Sequence, residues 1–333
     1  MSSGFLTSPP GAASLGVLET TQKVIEQSRE VYLDHRVLSD LAREQARGTL
    51  SRPGWDPRYH FYDGTLQTVL YFLVLDSLNF CFWPAAGTDR WEIDYEGERL
   101  SGYYGLAAAL KQAVEDGRPV LEPKYLAALT GNDLRSLLGG RGLLQLMEER
   151  GAILRETGQV LLENFAGDPG RLLEPAAGSA AALVRLVAAA FPSFRDTAVY
   201  DGQTVTFYKR AQILAADLYG AFGGRGWGAF RDLDRLTAFA DYKLPQVLRH
   251  LGILNYSGTL ARKIDRLELL TPGSPEEVEI RAHTIWAVEL IRRETAAAGL
   301  KIEAFEIDWL LWNLGQQDAF REKPYHRTRT IYY

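Results

Sequence analysis

From Tyr103 to its last residues, this 333-residue chain is written in helical periodicity. The stretches YYGLAAALKQAVEDG, KYLAAL, DLRSLL, LLQLMEERGAILRETGQVLLENF, SAAALVRLVAAAF and KRAQILAADLYGAF repeat apolar residues at helical spacing. Glycine-rich loops such as GNDLRSLLGGRG and AGDPG separate them. A chain patterned this way buries helix against helix. Val17 to about Leu50 is also amphipathic, with Val24, Ile25, Val31, Leu38 and Leu41 on helical spacing. After the break SRPGWDPRYHFYDG comes a long apolar element, LQTVLYFLVLDSLNFCFWP. A further helix is expected at about 275–298, where Ser274, Pro275 and Glu277 supply a cap and first-turn acids. Only Asp89 to Tyr104 alternates polar and apolar residues, around Gly97, as a β-hairpin does. The expectation is a mainly α fold with one small hairpin: a loose tail over residues 1–16, then a single α-rich domain over 17–333. The C-terminal segment, aromatic to its last residue, is expected to dock.

Charge narrows the partners. A net charge of −5 and a pI near 5.7 argue against a nucleic-acid-binding surface, which needs a basic stripe. A small anionic ligand needs only one or two local cations. Cys81 is the one cysteine, so no disulfide framework or cysteine zinc site is expected, and an apolar setting makes its thiol inert packing. No apolar run reaches the length of a membrane span, and the first residues lack a secretory pattern. The expected setting is the cytoplasm. His35, His60, His250, His283 and His326 lack metal-site spacing, and no GxSxG, Walker A or dinucleotide fingerprint occurs.

Four clusters are candidates for chemistry. In LTAFADYKLPQVLRHLGIL, residues 236–254, two apolar helical runs flank the charged hinge Asp241-Tyr242-Lys243-Leu244. Pro245 fits the first turn of the second helix. Asp241 then stands too far upstream to be its simple cap, and is either part of a structural hinge or a reagent. In Asp76-Ser77-Leu78-Asn79-Phe80-Cys81-Phe82-Trp83, the aromatics Phe80, Phe82 and Trp83 offer faces to a planar ring, with Asp76 and Asn79 at its edge. The alternative is a capped turn with aromatic core. Lys209 and Arg210 open a helix, where cations are disfavoured unless an anion or acid is near. The alternative is a solvated surface pair. Asp308, Trp312 and Gln316 can share one helix face, and His326, Arg327 and Arg329 bring cations among tyrosines. These cations either pair with Asp308 or bind a ligand.

The blocks DSLNFCFW, YKRAQILAADLYGAF, LTAFADYKLPQVLRHLGIL, EIRAHTIWAVELIRR, IDWLLWNLGQ and PYHRTRTIYY closely resemble the queuosine salvage protein family, from about residue 60 onward. The resemblance implies a helical fold related to helix-hairpin-helix DNA glycosylases. It implies hydrolysis of the N-glycosidic bond of queuosine 5′-monophosphate, releasing queuine for tRNA modification, with no metal or organic cofactor. The family's active-site lysine and aspartate fall on Lys209 and Asp241. A cysteine frequent in the family near ENFAGDPG is absent here, so no catalytic thiol carries over. The first fifty residues match nothing specific.

The chemistry suits these residues. Breaking the C1′–N bond develops oxocarbenium character, which an aspartate stabilises while orienting or deprotonating water. Asp241 takes that role; Lys209 either holds the phosphate or tunes Asp241. Phe80, Phe82 or Trp83 is expected against the base, with Asp76 and Asn79 at its edge, and Trp312 is a further expected substrate contact. Asp308 would meet the ammonium or diol, and His326 and Arg329 complete the expected substrate contacts. The competing classes are a queuine or nucleotide carrier without turnover, a nucleic-acid binder, and a glycosylase for another nucleoside.

Overall fold

Leu66–Ser77 forms a helix in which every residue from Thr68 to Ser77 is buried. Thr65 starts it, its hydroxyl accepting the Gln67 amide hydrogen. A helix apolar on all sides must be enclosed. Here the enclosure comes from helices Gly102–Glu115, Met147–Phe165, Pro169–Leu173 and Lys209–Ala221. The protein, a computed structural model, is described over residues 14–46 and 55–333. A second hub is the long helix Pro275–Ala297, packed by Val17–Gln27, His35–Ala46, Lys243–His250 and Ala304–Leu314. It opens as SPEEVEIRA implies, with Ser274 as cap, Pro275 first, and Glu276 and Glu277 in the first turn. One contiguous apolar cluster joins the hubs, from Leu15 to Leu311.

Among the described residues there are fourteen α-helices and four two-stranded β pairings. The fold is mainly α, but the single expected hairpin is an undercount. Glu92–Tyr95 pairs with Glu98–Ser101 where expected, turning on Glu96 and Gly97 at φ 48° and 83°. Both left-handed residues are what a two-residue type I′ turn requires. A second hairpin, Thr197–Tyr200 with Gln203–Thr206, turns on Asp201 and Gly202 at φ 47° and 75°. The Asp-Gly pair in AVYDGQTV is its sequence signal, passed over amid helical text. Val31–Leu33 pairs with Leu254–Tyr256, which splits the helical stretch expected between residues 17 and 50 into two helices. Leu269–Leu270 pairs in parallel with Arg327–Thr328 and docks the C-terminal segment. The Cys81 amide also donates to the Tyr333 carbonyl at 2.9 Å. Up to residue 13, the tail expected over residues 1–16 lies outside the described residues.

The helix expected before Asp241 does not form. Leu236 to Asp241 is irregular and buried, and only Lys243–His250 is helical, with Pro245 at its third position. The reason is tertiary. Buried backbone groups must find partners, and three neighbouring helices supply them to this strap. Gln212 accepts the Thr237 amide at 2.8 Å, Asp308 accepts the Phe239 amide at 2.7 Å, and Arg281 donates to the Ala240 carbonyl at 3.1 Å.

Candidate active site

The strap delivers Asp241 to the start of the Lys243–His250 helix. Its Oδ1 accepts the amides of Lys243 at 2.7 Å and Leu244 at 2.9 Å. That is N-cap geometry, so Asp241 does cap the helix, contrary to the expectation that it stands too far upstream: the helix starts at Lys243, two residues before Pro245. Oδ2 has no hydrogen-bond partner among the described residues, which leaves one carboxylate oxygen for chemistry.

Lys209 and Arg210 are not a solvated pair. Both are buried. The acid expected near this helix start is Asp196, which accepts the Lys209 amide at 3.1 Å and binds Arg281 through both oxygens. Lys209 sends its Nζ to the Asn79 carbonyl at 2.9 Å. Arg210 donates to the carbonyls of Ser77 and Ser193.

Around Lys209 stand four buried carboxyl groups, Asp76, Asp217, Asp241 and Asp308. One lysine cannot neutralise four carboxylates in a low-dielectric interior. Burial, then the Asp217 charge, pushes Asp76 well above the usual range. Burial and the Asp241 charge do the same to Asp308. Burial raises Asp217 to about 7. Asp241 is also raised by burial, but Lys209 and the two capping amides hold it back. Lys209 falls to about 8 through burial, opposed chiefly by Asp241. Asp241 is therefore the carboxyl group best placed to carry charge.

Lys209, Asp217, Asp241 and Asp308 line a cavity with two ends. The narrow end, about 120 Å³, is walled by Trp55, Tyr103, Tyr104, Phe239 and Trp312. Asp217, Asp241 and Asp308 face it, with Asp56 at its edge, already paired with Arg58 at 2.8 Å. The wide end, about 400 Å³, carries Arg90, Lys243, Arg321 and Arg327. Lys209, Asp241, Asn79, Tyr103, Tyr104 and Trp312 belong to both ends. Acidic and basic groups are thus sorted, acids to one side and cations to the other, with Lys209 and Asp241 at the junction. Arg327 lies 5.4 Å over the Trp83 ring, and its Nε has no hydrogen-bond partner among the described residues.

The expected substrate contacts scatter. Asp308 and Trp312 line the narrow end, and Asn79 the junction. Phe80, Phe82 and Trp83 belong to the wide, cationic end. Phe80 is fully buried, with the Arg150 guanidinium 4.2 Å and the Arg210 guanidinium 5.2 Å from its centroid, so its ring serves the core. Asp76 is enclosed behind the cavity and lines neither end. His326 is buried beside Tyr333, and burial pushes its pKa down to about 3, so it is no cation. Arg329 is exposed and lines neither end. Neither His326 nor Arg329 pairs with Asp308. Among the described residues no group of His, Cys, Asp and Glu could hold a metal ion, and no helix is long and apolar enough to cross a membrane.

Sequence reading missed the second layer of the narrow end. His60 Nδ1 lies 2.8 Å from the Asp56 carbonyl and His60 Nε2 lies 2.9 Å from the Tyr103 hydroxyl. That hydroxyl is 2.9 Å from Asp217 Oδ2. The available signal was Asp217 itself, an acid inside the apolar run ILAADLYG about two turns beyond Lys209. Its burial has a measurable consequence. Between the unfolded value near 3.8 and about 7, the folded chain holds a proton the unfolded chain has released, so this group's contribution to stability falls as pH rises through that window. Asp217→Asn keeps the group neutral. The drop in melting temperature between pH 5 and pH 8 should shrink in that variant; an unchanged drop would show that Asp217 titrates normally.

Comparison with known proteins gives a consistent result. The sequence pattern described as queuosine salvage protein matches residues 59–333. A protein of Sphaerobacter thermophilus named queuosine 5′-phosphate N-glycosylase/hydrolase is 51% identical over 319 residues, covering 96% of this chain and 98% of that protein. Proteins of the same name from Dictyostelium discoideum and Bos taurus are 40% and 36% identical, each over 333 residues, 95% of this chain and 98% of theirs.

Proposed function

The chain belongs to the queuosine salvage protein family, and from that premise we propose that it hydrolyses the N-glycosidic bond of queuosine 5′-phosphate to release queuine. The observation that carries this reading is the sorting of acidic and basic groups along the cavity. The substrate has a cationic amine on its base at one end and a phosphate at the other, with the scissile bond between them. Laid along the cavity, its base enters the aromatic, acidic end and its phosphate the cationic end. C1′ then lies beside Asp241. Trp312, whose ring centroid stands T-shaped 5.3 Å from that of Tyr104 and 5.9 Å from that of Tyr103, walls the slot for the flat base. Asp308 faces the amine.

In this arrangement Asp241 stabilises the oxocarbenium ion and takes a proton from the attacking water through Oδ2. Lys209 acts on Asp241 rather than on the phosphate. It is buried among the carboxyl groups, and its charge favours the ionised form of Asp241. Lys243 and Arg327 hold the phosphate, with Arg90 and Arg321 at the rim. An acidic chain with a local group of cations at the wide end of its cavity supports a free mononucleotide, not a nucleic-acid strand or membrane surface, as the substrate, and a cytoplasmic setting accords with a lone buried cysteine.

Product analysis by mass spectrometry with queuosine, its 5′- and 3′-monophosphates and GMP tests the reading. Queuine should appear from the 5′-monophosphate; stoichiometric binding without product would favour a carrier. Arg327→Met keeps the contact with Trp83 but removes the charge. It should raise KM for the 5′-monophosphate about 10-fold or more, as expected for losing a charged hydrogen bond, and leave turnover of unphosphorylated queuosine unchanged. An equal loss on both substrates would place the phosphate elsewhere.

A further inference from the structure

The hydrogens between His60 and Asp217 can be counted. A carbonyl only accepts, so His60 Nδ1, 2.8 Å from the Asp56 carbonyl, carries a hydrogen. Neutral His60 then offers Nε2 as an acceptor, and the Tyr103 hydroxyl at 2.9 Å gives it its one hydrogen. The 2.9 Å contact between Tyr103 and Asp217 Oδ2 must therefore carry its hydrogen on the carboxyl group. Moving that proton along to His60 would create two buried charges. Burial opposes this at both ends, pushing His60 down to about 4 and Asp217 up to about 7. Asp217 Oδ1 has no hydrogen-bond partner among the described residues, and Asp217 lines the narrow end of the cavity.

The titratable groups facing Asp217 agree with a neutral acid. Asp76 of the Leu66–Ser77 helix and Asp308 of the Ala304–Leu314 helix are carboxyl groups whose own ionisation an Asp217 charge would oppose. Tyr71, Tyr103 and Tyr104 are neutral phenols whose own ionisation its charge would oppose. The Tyr103 hydroxyl contact, and after it the charge of Lys209 on the same helix as Asp217, pull the other way, and burial outweighs both.

Glycosidic cleavage needs such a group. A 7-deazaguanine has carbon where guanine has N7, so the lone pair on which a purine is ordinarily protonated before departure is missing. Resting on the function proposed above, we propose that Asp217 is the general acid that protonates the departing base, with Tyr103 and His60 as positioning residues that keep its proton in place. The C1′–N bond breaks with its electron pair going to the base, and Asp217 gives the base a proton. Water bonds to C1′ and loses a proton to Asp241. Both aspartates then exchange with solvent, and the sum is nucleotide plus water to free base plus ribose 5-phosphate. Delivery into the cavity requires the carboxyl group to turn about its Cβ–Cγ bond so that the protonated oxygen faces the base; the other oxygen then accepts the Tyr103 hydrogen, leaving His60 Nε2 briefly bare.

Two substrates and three variants test this. Asp217→Asn should lose about 10²–10⁴-fold in kcat on queuosine 5′-phosphate, the range for general acid–base catalysis, with KM little changed. It should keep most of its turnover on a 4-nitrophenyl riboside 5′-phosphate, whose leaving group departs without a proton. His60→Phe frees the Tyr103 hydroxyl to donate to an Asp217 carboxylate, so the basic limb of the kcat/KM profile should move to lower pH. His60→Gln can accept from Tyr103 and donate to the Asp56 carbonyl, and should restore the limb. Infrared absorption near neutral pH should show a protonated carboxyl band in wild type that Asp217→Asn lacks, a readout independent of turnover. Unimpaired turnover of queuosine 5′-phosphate in Asp217→Asn, equal losses on both substrates, an unmoved limb in His60→Phe, or an unchanged infrared spectrum would overturn the assignment. Failure of the wild-type protein to release queuine would instead sink the function on which it rests.

Discussion

Asp241→Asn is expected to lower kcat at least about 10³-fold, roughly 4 kcal/mol of transition-state stabilisation. The substitution removes both the charge that stabilises the oxocarbenium ion and the base that activates water. It should not harm the fold. An Asn carbonyl oxygen can still accept the amides of Lys243 and Leu244, and Asn caps helices about as well as Asp. A buried carboxylate is also costly, so the melting temperature should stay level or rise. Lost turnover together with lost stability would mean that Asp241 is chiefly structural; retained turnover would move the catalytic carboxylate elsewhere.

The second large effect is Lys209→Met, which keeps the aliphatic stem and removes the charge. About 10²-fold or more should go from kcat/KM at neutral pH, the scale for deleting one preorganised electrostatic group. The pH profile separates this from simple damage. Lys209 is the largest charge holding the Asp241 pKa down. Without it that pKa rises, so the acid limb must move to higher pH. Any contribution to the basic limb from Lys209 itself, near 8, must disappear. A uniform loss with both limbs unmoved would show that the lysine acts by packing, through its bond to the Asn79 carbonyl.

Local signals were legible wherever the cause was local. The start of the Pro275–Ala297 helix depends on a cap, a proline and two acids within four residues. The hairpin at residues 92–101 depends on a turn between alternating runs. The second hairpin was equally local, and its Asp-Gly turn was simply outweighed by helical text on both sides. Leu236–Asp241 shows where periodicity fails. Six residues with apolar spacing do not separate a helix from a buried irregular strap, and the decision belonged to Gln212, Arg281 and Asp308. His326 shows the same limit for charge. Read in sequence it is a cation among tyrosines, but enclosure makes it neutral.

By itself, the sequence determined a mainly helical protein, its family, and two residues, Lys209 and Asp241, whose chemistry fits glycosidic cleavage. Each of these rests on residue identity or short-range spacing, which a chain carries before it folds. The tertiary structure alone decided that Asp241 caps a helix with one oxygen while lining the cavity, that cations and acids part to opposite ends of that cavity, and that Asp217 lines it too. His60 and Tyr103 are 43 residues apart, and Tyr103 and Asp217 are 114 apart. Protonation there depends on how completely water is excluded and which charges are brought close, and packing supplies both only once the helices meet.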